Sequence, residues 1–170
     1  MFKIRSMTNG DADDVLSIYA EGLKTGHATF EQDAPDWERF DNGKLTAPRL
    51  IAECDTGDVL GWAVLSPVNA RCVYGGVAEV TIFVSANARK QGVGKALLNA
   101  LIKASEDEGL WTLQSSILAE NTGSIRLHEQ CGFTHLGVRK GLGKMSYGPM
   151  VGKWRDVVLM EKRSSVVGVD

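Results

Sequence analysis

The apolar pattern changes period near residue 85. From Glu79 to Val84 the chain is β-branched or aromatic after the glutamate, and from residue 96 to 104 apolar positions recur at helical steps. A strand therefore enters a turn here and a helix leaves it. On that helix Val93, Leu97, Leu101 and Ala104 form one stripe with Leu98 and Ile102 beside it, and Gly109 marks its end; such a face packs on a sheet. Before it, residues 2–6 read as a short strand. Thr8 with Asp11 caps a helix whose apolar face is Ala12, Val15, Leu16, Tyr19 and Leu23, ending near Gly22 or Gly26. Residues 27–34 carry no period, and Pro35-Asp36-Trp37 opens a shorter helix reaching about Leu45. Arg49 to Cys54 and Val59 to Leu65 are strands joined by Asp55-Thr56-Gly57-Asp58, an antiparallel hairpin. Residues 66–76 form a loop. After Gly109, Trp111 to Leu118 is a strand and Asn121 starts a helix that ends before Gly132-Phe133. Phe133 to Val138 and Trp154 to Met160 read as closing strands around a long loop, 139–149, whose cations and glycines suggest mobility. Residues 163–170 read as a frayed tail.

Composition excludes several classes. A chain of 170 residues fits one domain with a core that buries roughly 70% of the unfolded surface. At 44% hydrophobic and 24% charged it is of globular type. A net charge of -2 gives no support for general nucleic-acid binding. Cys54, Cys72 and Cys131 are odd in number and lack Cys-x-x-Cys spacing, so neither a disulfide framework nor a zinc site is indicated, and no metal is expected. No stretch approaches the ~18 apolar residues of a membrane span, and the first residues lack the apolar segment of a signal peptide. A cytoplasmic location with no membrane partner is expected.

Against that acidic balance the turn at residues 89–95 is basic: Arg89, Lys90 and Lys95 flank Gln91-Gly92-Val93-Gly94. Glycine at a helix start lets an anion approach the unpaired N–H groups, and the helix dipole favours negative charge. An ordinary strand-to-helix turn has the same glycines. Gly94-Lys95 is followed by Ala96, so the magnesium-binding hydroxyl of a P-loop is missing, and Leu97 stands where a dinucleotide fingerprint needs glycine. What remains is a turn able to bind pyrophosphate without metal.

The flanking residues carry a resemblance. Arg89-Lys90-Gln91-Gly92-Val93-Gly94 resembles the Arg/Gln-x-x-Gly-x-Gly/Ala signature of the GNAT superfamily of acyl-CoA-dependent N-acetyltransferases. Asn121-Thr122-Gly123-Ser124 through Leu127-His128 to Gly132-Phe133 resembles its Asn-x-x-Ser-x-x-Leu-Tyr/His-x-x-x-Gly-Phe pattern. Ala28 to Glu31, Pro67 to Tyr74, Ala78 to Val84 and Gly152 to Asp156 are similar to the phosphinothricin and methionine sulfoximine acetyltransferase subfamily.

The resemblance implies an α+β fold, a three-layer α/β/α sandwich with a mixed, mostly antiparallel sheet of about seven strands flanked by four helices, over one domain at 1–162. It implies acetyl transfer from acetyl-CoA to a primary amine of a small molecule by direct attack in a ternary complex, in a homodimer. Ile82, Phe83 and Val84 would bind the pantetheine amides, Arg89, Lys90, Gln91, Gly92, Val93, Gly94 and Lys95 the pyrophosphate, and Asn121 and Ser124 the pantetheine arm. Glu79 would be the base, acting through water, and a Val84 N–H at a strand bulge would stabilise the thioester oxygen. His128, where many members have tyrosine, or Tyr147 would protonate the thiolate. Phe30, Arg71 and Tyr74 with Glu79 would hold an amino-acid acceptor. Gly75 and Met150 stand where the subfamily often has basic residues, which implies a less anionic acceptor than phosphinothricin. An acetyl-CoA sensor without turnover and an acetyltransferase of protein N-termini or lysines are the other functions considered.

Overall fold

The computed structural model describes residues 1–169 and shows a seven-stranded sheet. In chain order the elements are β1 (Phe2–Ser6), α1 (Ala12–Leu23), α2 (Trp37–Asn42), β2 (Arg49–Cys54), β3 (Val59–Pro67), β4 (Val77–Val84), α3 (Val93–Asp107), β5 (Thr112–Leu118), α4 (Thr122–Gln130), β6 (Thr134–Lys144) and β7 (Trp154–Arg163). The strand order is β1-β2-β3-β4-β5-β7-β6, with β4 and β5 the parallel pair and all other neighbours antiparallel.

Alternation along the central strands sets the layers. Leu50, Ala52, Ala63, Leu65, Ala78 and Val80 face Val93, Leu97, Leu98 and Leu101 of α3, with Ile125 and Leu127 of α4 joining them. Ile51, Trp62 and Val64 point the other way, onto Val15, Ile18, Tyr19 and Leu23 of α1 and Phe40 of α2. Period two in the strands thus gives each sheet face its own helical layer. Phe83 stacks between Tyr19 at 4.8 Å and Trp62 at 4.9 Å, and the Trp62 indole donates to the Val15 carbonyl at 3.0 Å. The fold is the α+β three-layer sandwich expected.

Four local expectations need correction. Residues 139–144 are not loop: β6 runs through them, pairing Arg139 with Val157, Gly143 with Arg155 and Lys144 with Trp154 around an irregularity. Gly141, at φ 53°, takes up that irregularity, and the Asp156 carboxylate fixes it by accepting from the Gly141 N–H at 2.8 Å and from Lys140 at 2.9 Å. Second, α2 stops at Asn42; Asp36 caps it by accepting from the Arg39 N–H at 2.8 Å, so Pro35 lies before the cap rather than in the first turn. The chain after it is gathered by Arg49, which donates to the Asp41 carboxylate and to the carbonyls of Asp41, Lys44 and Leu45. Third, β4 has no bulge, since its register with β3 is unbroken from Pro67↔Ala78 to Gly61↔Val84. Fourth, hydrogen bonds hold the chain beyond β7: Ser164 Oγ donates to Glu106 and accepts the Val166 and Val167 N–H groups, and Arg163 donates to the carbonyls of Trp111 and Val167.

Candidate active site

The parallel pair opens at its middle. β4 and β5 pair only from Val77–Glu79 to Thr112–Gln114, while the other edge of β5 pairs with β7 throughout, from Thr112↔Arg163 to Leu118↔Val157. From Val80 to Val84 the β5-facing edge of β4 has no ladder partner, while its other edge stays paired to β3. An exposed strand edge takes an extended, amide-bearing ligand by completing the ladder. Ile82, Phe83 and Val84 lie on that edge; Ile82 and Val84 turn their side chains to the α3 layer and Phe83 to the α1 layer.

The turn beyond this edge starts α3. Lys90 has φ 62° and Gly92 φ 84°, and the first helical bond is from the Ala96 N–H to the Gly92 carbonyl at 3.0 Å. The N–H groups of Val93, Gly94 and Lys95 therefore have no partner within the helix, and no side chain caps it. A left-handed lysine costs about 1–2 kcal/mol, a strain found where a turn is held for binding. Arg89, Lys90 and Lys95 form no ion pair among the described residues. Three cations and three free donors at the end of a 15-residue helix suit a pyrophosphate. The Gln91 side chain is turned back, donating to the Asn87 carbonyl at 2.7 Å. A Cβ on Gly94 would stand 3.2 Å from Leu127 Cδ2 and 3.5 Å from Val84 Cγ2, so glycine lets α3 start tight against α4 and β4. Asn121 Oδ1 caps α4 by accepting the Ser124 N–H at 3.2 Å.

Glu79 sits where the pair begins to open, on the α1 side of the sheet. Its Oε2 accepts from Gln114 Nε2 at 2.7 Å and Ser116 Oγ at 3.3 Å, which fixes the carboxylate through one oxygen. Beside it Lys44 Nζ donates to Ser66 Oγ at 3.1 Å and Thr81 Oγ1 at 3.4 Å. Burial pulls the Lys44 ammonium below its ordinary pKa, against the opposing charge of Glu79. Lys44, Gln114 and Ser116 escaped the sequence reading. Gln114 and Ser116, two apart in an apolar strand, form a period-two signal that places both on one face; Lys44 carries none, because the helical pattern extends to about Leu45 while α2 ends at Asn42.

The other predicted residues divide. Phe30 packs on β6, where a Cβ at Gly143 would lie 2.9 Å from its ring. The Tyr147 hydroxyl donates to the Thr29 carbonyl at 2.9 Å, and burial pushes its pKa up. Arg71 lies over the Tyr74 ring at 5.9 Å in the exposed loop that leads from β3 to β4. His128 is 1% exposed, edge-on to Phe133, with Nδ1 2.8 Å from the Ser124 carbonyl. Only an N–H satisfies that oxygen, so Nδ1 carries the proton. Burial holds the ring neutral by lowering its pKa, and Nε2 keeps a buried lone pair with no partner. The ring thus presents an acceptor where the resemblance implied a donor. Among the described residues no cluster of metal-ligating side chains occurs.

A strand edge opened beside a cation-ringed helix start, with a carboxylate fixed at the fork, is an arrangement able to take an extended anionic ligand with a basic group beside it. Residues 13–133 match the model of the acetyltransferase (GNAT) family. The chain is 34% identical over 169 residues to a phosphinothricin N-acetyltransferase of Alcaligenes faecalis, covering 94% of this chain and 81% of that one. It is 28% identical to an L-methionine sulfoximine/L-methionine sulfone acetyltransferase of Pseudomonas paraeruginosa, covering 93% and 92%. The crystal structure of a GNAT superfamily phosphinothricin acetyltransferase from Sinorhizobium meliloti in complex with AcCoA superposes with a TM-score of 0.87 at 28% identity, covering 99% of this chain and 91% of that one. This chain belongs to the acetyltransferase (GNAT) family.

Proposed function

We propose that the protein is an acetyl-CoA-dependent N-acetyltransferase that acetylates the primary amine of a small amino-acid-like acceptor, of the phosphinothricin or methionine sulfoximine type, by direct attack in a ternary complex. The observation that carries this reading is Glu79, anchored through one oxygen by Gln114 and Ser116 at the point where β4 and β5 part. Acetyl-CoA, when bound, supplies the activated acetyl group.

The chain's residues fit that ligand. The free N–H groups of Val93, Gly94 and Lys95, with Arg89, Lys90 and the Gln91 and Gly92 backbone, hold the pyrophosphate. The open edge at Ile82, Phe83 and Val84 takes the pantetheine amides, flanked by Asn121 and Ser124. Glu79 Oε1, which makes no hydrogen bond among the described residues, receives the ammonium proton through one water, so that the amine lone pair can form the new C–N bond as the C–S bond breaks. A backbone N–H at Val84 stabilises charge on the acetyl oxygen. After attack the nitrogen still carries one proton too many, and this proton passes to the departing thiolate, so that CoA leaves as the thiol; His128, neutral and with its Nε2 buried, supplies none. Phe30, Arg71 and Tyr74 enclose the acceptor.

One domain spanning 1–162 carries these parts. A homodimer is supported by the edge strand β6, which leaves Leu136, Val138 and Leu142 exposed. A cytoplasmic location is supported by three unpaired cysteines; among the described residues no helix is long and apolar enough to cross a membrane.

The test is a screen of free amino acids and sulfoximines with acetyl-CoA, reading free CoA thiol. Amine-dependent thiol release is expected. A sensor would bind acetyl-CoA without release, and release only with peptides would point to a protein acceptor.

A further inference from the structure

We propose that Lys44 forms a carboxylate subsite: it binds the α-carboxylate of a zwitterionic amino-acid acceptor whose ammonium faces Glu79. This rests on the transfer reading above and names the group that selects its acceptor.

The placement follows from the ladder. Ser66 pairs directly with Glu79 across β3 and β4, and Thr81 lies two residues along β4 on the same face. Directly opposed residues have Cβ atoms about 5 Å apart, and a two-residue step along a strand is about 7 Å. Nζ of Lys44 bonds to both hydroxyls, at 3.1 and 3.4 Å, so the ammonium lies on the same surface as Glu79, held by its directly opposed neighbour and by the residue two along its strand. These partners are neutral and use two of its three N–H donors. No carboxylate makes an ion pair with Lys44 among the described residues. A partly buried cation without a counter-ion is costly, and a bound carboxylate supplies what the protein does not. The Phe40 ring, 5.7 Å away, backs the ammonium.

The span matches the ligand. In an α-amino acid the nitrogen and the carboxylate oxygens lie roughly 3 Å apart. With one hydrogen bond of about 2.8 Å to Nζ and one water between nitrogen and Glu79, a single ligand is long enough to arch over the sheet surface from one charge to the other. Lys44 and Glu79 thus present opposite charges to the opposite charges of one zwitterion. Arg71, exposed and stacked on Tyr74, is left for the distal end of the acceptor.

The experiment compares L-methionine sulfone with its α-carboxamide as acceptors for wild type, Lys44→Met and Lys44→Arg. The wild type is expected to favour the acid. Lys44→Met should reduce the acid-to-amide ratio of kcat/KM by about tenfold to a hundredfold, the loss of a charged hydrogen bond, mainly through KM, and Lys44→Arg should restore part of it. An unchanged ratio in Lys44→Met, or wild type preferring the amide, overturns the subsite while leaving acetyl transfer intact. If no acceptor turns over, calorimetric binding of L-methionine sulfone decides. Binding by wild type that Lys44→Met weakens at least tenfold sustains the subsite without the transfer reading; equal or absent binding removes it.

Discussion

Glu79→Gln tests the base. The substitution removes the charge yet keeps an oxygen that can accept from Gln114 and Ser116, so the strand pair stays in register. An alkyl amine of pKa near ~10 is about one part in a thousand deprotonated at pH 7. Without a base the variant relies on that fraction, so a loss on the order of 10³ in kcat is expected, within the 10²–10⁴ range of a positioned base and equal to about 4 kcal/mol of barrier. The free amine rises tenfold per pH unit. The deficit should therefore shrink to roughly 10-fold by pH 9. The assay is CoA thiol release under saturating acceptor and acetyl-CoA from pH 6 to 9, with unfolding midpoints to show that both proteins are equally folded. Full activity in the variant, or a deficit constant across that range, refutes the assignment.

Three further outcomes are expected. Gly94→Val should raise the KM for acetyl-CoA about tenfold with a smaller change in the acceptor KM, because its side chain meets Leu127 and Val84 and pushes the α3 start away from the open edge; initial rates at varied acetyl-CoA measure it. Arg155 is completely buried and donates to the Gly26 carbonyl at 3.0 Å and to Glu120 at 2.9 Å, with His27 Nδ1 2.9 Å away; Arg155→Met strands these groups and should cost about 3 kcal/mol in urea unfolding. Asp11, bonded to Arg5 at 2.7 Å and to the Thr8 N–H, has its pKa lowered to about 2, first by the Arg5 hydrogen bond. A lowered folded-state pKa stabilises above the unfolded value and loses that stability as pH falls through the folded one. Asp11→Asn should thus be about 2 kcal/mol less stable than wild type at pH 7, with the gap closing between pH 4 and 2.

Where burial alternates, the sequence announced the structure. Val93, Leu97 and Leu101 are buried as their spacing requires, and Asn121 does cap α4. The layer assignment of β2, β3 and β4 follows from the same period. β6 was half hidden because an edge strand is solvated on nearly every residue, so glycines and cations there read as loop. The short β4–β5 pairing that opens the site is a long-range property, set by where β4 and β5 diverge on either side of the α3 crossover, and no local pattern encodes it. Glu79 stood out as the one charge entering an apolar strand. Lys44 did not, because its role depends on Ser66 and Thr81 arriving from two other strands.

The most direct measurement of the central claim is the stoichiometry of one reaction mixture. Purified protein, acetyl-CoA and L-methionine sulfoximine or phosphinothricin are incubated, CoA thiol is titrated, and the acceptor is examined by mass spectrometry. One N-acetylated acceptor per thiol released, with intersecting initial-rate lines for the two substrates, is the predicted result. Thiol release without an acetylated amine, or parallel lines with an acetylated protein intermediate, would contradict direct attack at the Glu79 fork.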